Sequence, residues 1–177
     1  MPTGEILRLL SRLPGRRPAS SLPGRLDELF ERLPACLTAD AAARIEDAIW
    51  DVWMHDGHEE AELALDRACA DIAARRFDLA ETRLAILLRR RPDWAEAWNK
   101  RATLLYLQGR DEESIAAIGR VLEIEPRHFG ALCSLGEVFR SREERPAALL
   151  AFGMALRVHP QLEGVRDTAN ALQAGKS

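Results

Sequence analysis

His55 and His58 flank Asp56-Gly57 and run into Glu59, Glu60 and Glu62, a concentration of imidazole and carboxylate groups of the kind that holds a divalent metal. The spacing argues against that use. A His-Glu-x-x-His zinc helix needs its second histidine where Glu62 stands. His55 and His58 also straddle Gly57, a helix-stop signal, so their rings need not converge. The segment reads as a solvated turn, and no metal or other cofactor is expected. Cys36, Cys69 and Cys133 lie far apart with no Cys-x-x-Cys pair, which argues against a zinc module or a disulfide scaffold. They fit a reducing compartment such as the cytoplasm, although a cysteine-poor periplasmic protein would look the same. No nucleophile elbow, phosphate-cradling glycine loop or redox pair is present, so no enzyme is expected and a metal-dependent one is the remotest reading. Arg89-Arg90-Arg91 and Arg75-Arg76 form a basic group. At a helix end such cations complement the dipole, and with a net charge of −3 and Tyr106 as the only tyrosine the chain offers no nucleic-acid surface.

The elements that would position any site are helices. Apolar residues make up 47% of the 177-residue chain and charged residues 30%, Ala, Leu, Arg and Glu dominate, and β-branched residues are sparse. Pro92, Pro126 and Pro160 recur at an interval of 34 residues, each closing a stretch of helical pattern. The same interval relates Ala68, Ala102 and Gly136, then Ala80, Ser114 and Ala148. Small residues at fixed places are what close helix crossings require. Leu84, Ile118 and Phe152 share another phase and Leu87, Val121 and Ala155 a further one, giving the second helix of each unit an apolar i, i+3 pair.

This pattern resembles the tetratricopeptide repeat (TPR), a helix, turn and helix unit. Leu135-Gly136, Phe139, Ala148, Phe152, Ala155 and Pro160 follow its signature in the third unit, with Leu132 in place of a tryptophan. Trp98 and the turn Gly109-Arg110-Asp111 mark the second. The first is worn, with Arg67 and Asp71 where apolar residues are expected. The resemblance implies an all-α, right-handed superhelical solenoid of helical hairpins over 59–92, 93–126 and 127–160, with helices capping both ends. Ile49-Trp50-Asp51-Val52-Trp53 ahead of three such repeats is similar, more loosely, to a group of short bacterial repeat proteins without an assigned activity.

The flanks have their own character. Residues 1–25 carry five arginines against Glu5, a net of +4 that leaves the remainder at −7. Ile6, Leu7, Leu10 and Leu13 there suggest a short amphipathic helix in a flexible segment, with a membrane-surface role as the alternative function. No signal peptide or membrane span is expected. Residues 26–58 read as a helical hairpin, either a cap or a degenerate repeat sealing the start of the stack. Leu162, Val165, Ala169 and Leu172 mark a closing helix over 161–174.

In the resembled family the first helices of successive units line a concave face. Carried onto this chain, the groove residues are Leu65, Cys69 and Ile72, then Glu96, Asn99, Thr103 and Tyr106, then Cys133, Glu137 and Arg140. The implied function is a noncatalytic interaction scaffold holding a protein or peptide segment in that groove. The other possibility is that the N-terminal helices fill it and bury Leu65 and Ile72. A carboxylate clamp is not expected, because Lys100 is the only cation at the corresponding places.

Overall fold

The computed structural model describes residues 3–36 and 38–175, so the first two residues of the basic segment lie outside the described residues. Every regular element among the described residues is helical. Six helices form the stack: α4 (Glu59–Ala73), α5 (Phe77–Arg90), α6 (Ala95–Leu107), α7 (Asp111–Ile124), α8 (Phe129–Ser141) and α9 (Arg145–Val158). They pair as antiparallel hairpins, α4 with α5, α6 with α7 and α8 with α9, and successive hairpins pack on one another. Each second helix stops two residues before a repeating proline. The last helical amide position, at Arg91, Glu125 and His159, still donates to Leu87, Val121 and Ala155. The proline that follows cannot continue the ladder.

The turns inside the hairpins repeat as closely as the helices do. Arg75, Gly109 and Glu143 have φ of 57°, 72° and 59°. The next residues, Arg76, Arg110 and Glu144, return amide hydrogen bonds to Asp71, Leu105 and Phe139 at 2.8, 2.9 and 2.9 Å. This left-handed residue with a bond closing back over the turn satisfies the last carbonyls of the first helix. Only Gly109 adopts the conformation without a side-chain penalty. At the crossings the small residues have the role expected of them: Ala68, Ala80, Ala102 and Ala148 are fully or almost fully buried. A Cβ on Gly136 would overlap the Phe152 ring.

Residues before the stack do not behave as a flexible segment. Helix α1 (Thr3–Arg12) lies on α7 with Ile6, Leu10 and Leu13 buried in the same apolar cluster as Ile118 and Val121. The chain then follows α7 to its end, where Ala19 N–H donates to Ile124 O at 2.8 Å and Arg16 donates to Glu123 O. The amphipathic face is therefore spent within the chain, which removes the apolar surface that a membrane-binding helix requires. No described helix is long and apolar enough to cross a membrane.

Helices α2 (Arg25–Arg32) and α3 (Ala39–Met54) also depart from expectation. They do not stack on α4 as a preceding cap. They cross the other hairpins, with Leu26, Phe30, Leu33, Ile49 and Trp53 clustered around Phe129 at the start of α8, and with Val158 and Leu162 packed alongside. The reason is the aromatic content: Trp50 and Trp53 find Phe129 and His128 as partners, which α4 does not offer. At the other end α10 (Glu163–Gln173) closes on α9 through Leu162, Val165, Ala169 and Leu172.

Candidate functional site

The face built from α4, α6 and α8 is divided in two. Its upper part, at the N-terminal ends of α6 and α8, is occupied by α3. The Trp53 indole stacks on the His128 imidazole, ring centres 3.9 Å apart and nearly parallel. Trp94 Nε1–H donates to Trp53 O at 2.8 Å in a buried bond. Trp50 packs where Gly130 leaves room; a Cβ there would come within 2.7 Å of its ring. The Lys100 ammonium lies 5.8 Å from the Trp50 ring centre.

Beneath the tryptophans lies a polar network that the family pattern does not announce. His128 accepts the Ala131 amide hydrogen on Nδ1 at 3.1 Å, capping α8, which puts its own hydrogen on Nε2, 3.0 Å from Glu96 Oε2. Asn99 donates to the same carboxylate oxygen at 3.1 Å, and Lys100 stands 2.6 Å from the other. Burial by itself would raise the Glu96 carboxyl. The hydrogen bond from His128, with the charge and hydrogen bond of Lys100, outweighs it and holds the group below its usual range. Burial likewise pulls Lys100 down, but the Glu96 charge wins and keeps the ammonium protonated. A second pair repeats the device further along: His159 Nε2 lies 2.9 Å from Glu46 Oε2, and Trp50 Nε1–H donates to Glu46 Oε1 at 3.3 Å. The His159 hydrogen bond is the chief cause of the lowered Glu46 carboxyl.

Three residues expected to line an open groove are consequently buried. Leu65 is core between α4 and its neighbours, and Glu96 and Asn99 are closed off within this network. Cys69 and Cys133 are half-buried; burial raises both thiols, Cys133 to about 12, aided by the nearby Glu137 and Glu46 carboxylates. Such thiols remain protonated and poorly nucleophilic. Ile72 is packed partly against the core of the first hairpin. Thr103 turns its hydroxyl to Asn99 O at 3.1 Å.

The lower part of the face, toward the C-terminal ends of α4, α6 and α8, is open. Here Tyr106 is partly covered, Leu107 is exposed, and Arg140 donates to Glu137 at 2.6 and 2.8 Å. The sequence set thus splits: Glu96 and Asn99 come together in the buried network, while Thr103, Tyr106, Glu137 and Arg140 belong to the half left free. His55 and His58 do not converge; His55 lies against Asp51 and His58 against Asp56 and Arg91. Among the described residues no three His, Cys, Asp or Glu side chains gather as a metal site.

His128 and His159 were the residues that sequence reasoning missed. Both lie beside the repeat-closing prolines Pro126 and Pro160, where a histidine can simply favour a helix end. The available signal was Glu96, a carboxylate at a position where a neighbouring helix would have to neutralise it.

A TPR repeat-containing protein of Rhizobium etli is 34% identical to this chain over 158 residues, an alignment spanning 89% of the chain and 78% of the relative. The chain belongs to the tetratricopeptide repeat family. No family model matches it. The TPR assignment accounts for the repeated turns, the buried small residues and the stack of hairpins described above. In the coarse sense that family membership supports, the chain is a protein-interaction scaffold. The α2–α3 strap across the upper groove is a feature that the repeat pattern does not specify.

Proposed function

We propose that this TPR protein is a noncatalytic scaffold that receives a segment of a protein partner on the open, lower half of its concave face. The observation that carries the reading is the division of the face itself. The chain fills the upper half with its own tryptophans and leaves Tyr106, Leu107, Glu137 and Arg140 accessible below. An extended or helical peptide with one apolar side chain for Leu107 and Tyr106, and polar groups to meet the Glu137–Arg140 pair, fits that surface. The repeat hairpins fall at 59–92, 93–126 and 127–160 in this reading, which the recurrence of helix ends and turns supports. The three unpaired cysteines favour a reducing compartment, so the cytoplasm is the expected location.

The test uses the full chain as bait. Tyr106→Ala combined with Arg140→Glu abolishes capture of the partner, with helicity and melting unchanged, whereas Arg120→Glu on the opposite side of the stack leaves capture intact. Equal capture by all three proteins removes the groove from the function.

A further inference from the structure

Each first helix in the stack turns one face toward the hairpin before it. Ala97 in α6 and Ala131 in α8, one repeat apart, are both 0% exposed there. Leu63 holds the same place in α4 and is 47% exposed, because no hairpin precedes it. The chain that could have supplied one turns away at Gly57, whose φ is 81°, and carries α3 over α6 and α8 instead. On α5, Leu79 and Ile86 lie two turns apart on one face and are 50% and 42% exposed; the same places hold the charged, exposed Glu113 and Arg120 in α7 and the buried Ala147 and Met154 in α9. Between the two helices is a shallow cavity of about 280 Å³, floored by Ala61, Ala64, Ile86 and Leu87 with Glu60 and Arg90 at its rim.

We propose that this end face binds a second copy of the chain, forming a closed dimer about a twofold axis that runs along the helices. Two features select this occupant. The first is charge. Because α4 and α5 are antiparallel, the N-terminal end of α4 and the C-terminal end of α5 lie at the same level, so Glu60 and Arg90 stand side by side on one rim. A twofold axis between the helices lays α4 of one copy over α5 of the other and sets Glu60 of each against Arg90 of its mate. Neither residue has an ion-pair partner of its own among the described residues, whereas the cavity's other two arginines, Arg83 and Arg91, already hold Asp71 at 2.8 Å and Asp56 at 2.7 Å. The second is closure. The opposite end of the stack is sealed by α10, which blocks head-to-tail stacking of copies and leaves a face-to-face pairing as the way one copy meets another here. Pairing covers Leu63 on α4 and Ile86 in the cavity, apolar side chains that the fold leaves bare. This goes beyond the groove reading and does not depend on it.

The full chain in sedimentation velocity over a dilution series is expected to show a reversible monomer–dimer equilibrium. Glu60→Arg and Arg90→Glu, both at exposed rim positions, each weaken it by about tenfold or more, since each turns both charge contacts of the dimer repulsive. Mixing the two variants restores assembly as a heterodimer, because every arginine then faces a glutamate. Misfolding of either variant cannot mimic that rescue. A wild-type chain that stays monomeric throughout, a dimer indifferent to both reversals, or a mixture that assembles no better than its components overturns the proposal.

Discussion

The first and third hairpins are built on one plan and end differently. In the third, Phe139 and Ala151 are fully buried and α10 covers the outer side. In the first, the same two places hold Asp71 and Arg83, joined at 2.8 Å, with Arg76 2.7 Å from the same carboxylate. The Arg83 hydrogen bond, and after it that from Arg76, holds the Asp71 carboxyl below its ordinary range. The substitutions that make the first repeat look worn exchange apolar contact for ion pairs: Asp71 is buried, and its two arginine partners reach out to solvent. Leu63 and Ile86 escape that exchange, which is what marks the end as a place where something docks.

Exchanging residues between the ends gives the largest effect. Phe139→Asp buries an unpaired carboxylate and empties a ring-sized space, so urea denaturation is expected to register a loss of about 4 kcal/mol or more. The reciprocal Asp71→Leu frees two half-exposed arginines into solvent and is expected to change stability by less than about 1 kcal/mol. Comparable losses from both would erase the distinction between a covered and an uncovered unit.

Acid distinguishes the strap from the stack. Glu46 and Glu96 both titrate below their ordinary 4.5 in the folded chain. A depressed carboxyl contributes stability that is complete above its unfolded value and is lost as pH falls through the lower folded one. Below about pH 4.5 the tryptophans of α3 are therefore expected to separate from His128 before the helical hairpins melt, read as a fluorescence change preceding the loss of helicity. Glu46→Gln weakens the fastening at neutral pH and shrinks the acid dependence. Simultaneous loss of both signals in wild type would show that strap and stack form one cooperative unit.

The smallest effects lie in the turns. Arg75→Gly and Glu143→Gly relieve side chains held at positive φ and are each expected to stabilise by about 0.5–1 kcal/mol, while Gly109→Ala costs about 1 kcal/mol. Thermal melts of the three variants check whether the turns are equivalent despite their different residues.

Much of this was legible beforehand. The recurrence of Pro92, Pro126 and Pro160 marked where three second helices end, and Ala102, Gly136 and Ala148 marked where helices cross closely. The path of residues 3–54 was legible only as one of two alternatives, an open groove or one filled by the N-terminal helices. Leu10 and Ile49 announce amphipathic helices, but an apolar stripe does not name the surface it will cover: Leu10 is buried on the stack and not in a free tail, and α3 takes the groove-filling alternative over the upper half of the face. The groove set shows the same limit. Glu96 and Asn99 occupy ligand-facing places in the repeat, and only the arrival of Trp53 and His128 turned them into interior.

By itself, then, the sequence determined the repeating unit, because helix ends, turns and small-residue crossings are local demands that a fixed spacing writes directly into the chain. The tertiary structure decided which copies of that unit are covered. Residues from Ile6 on α7 to Trp53 beside His128 meet partners far along the chain, and burial between such segments depends on where the backbone leads them. That is why the choice between an open and a filled groove, and the bare Leu63 end, were decided only once the helices were in place.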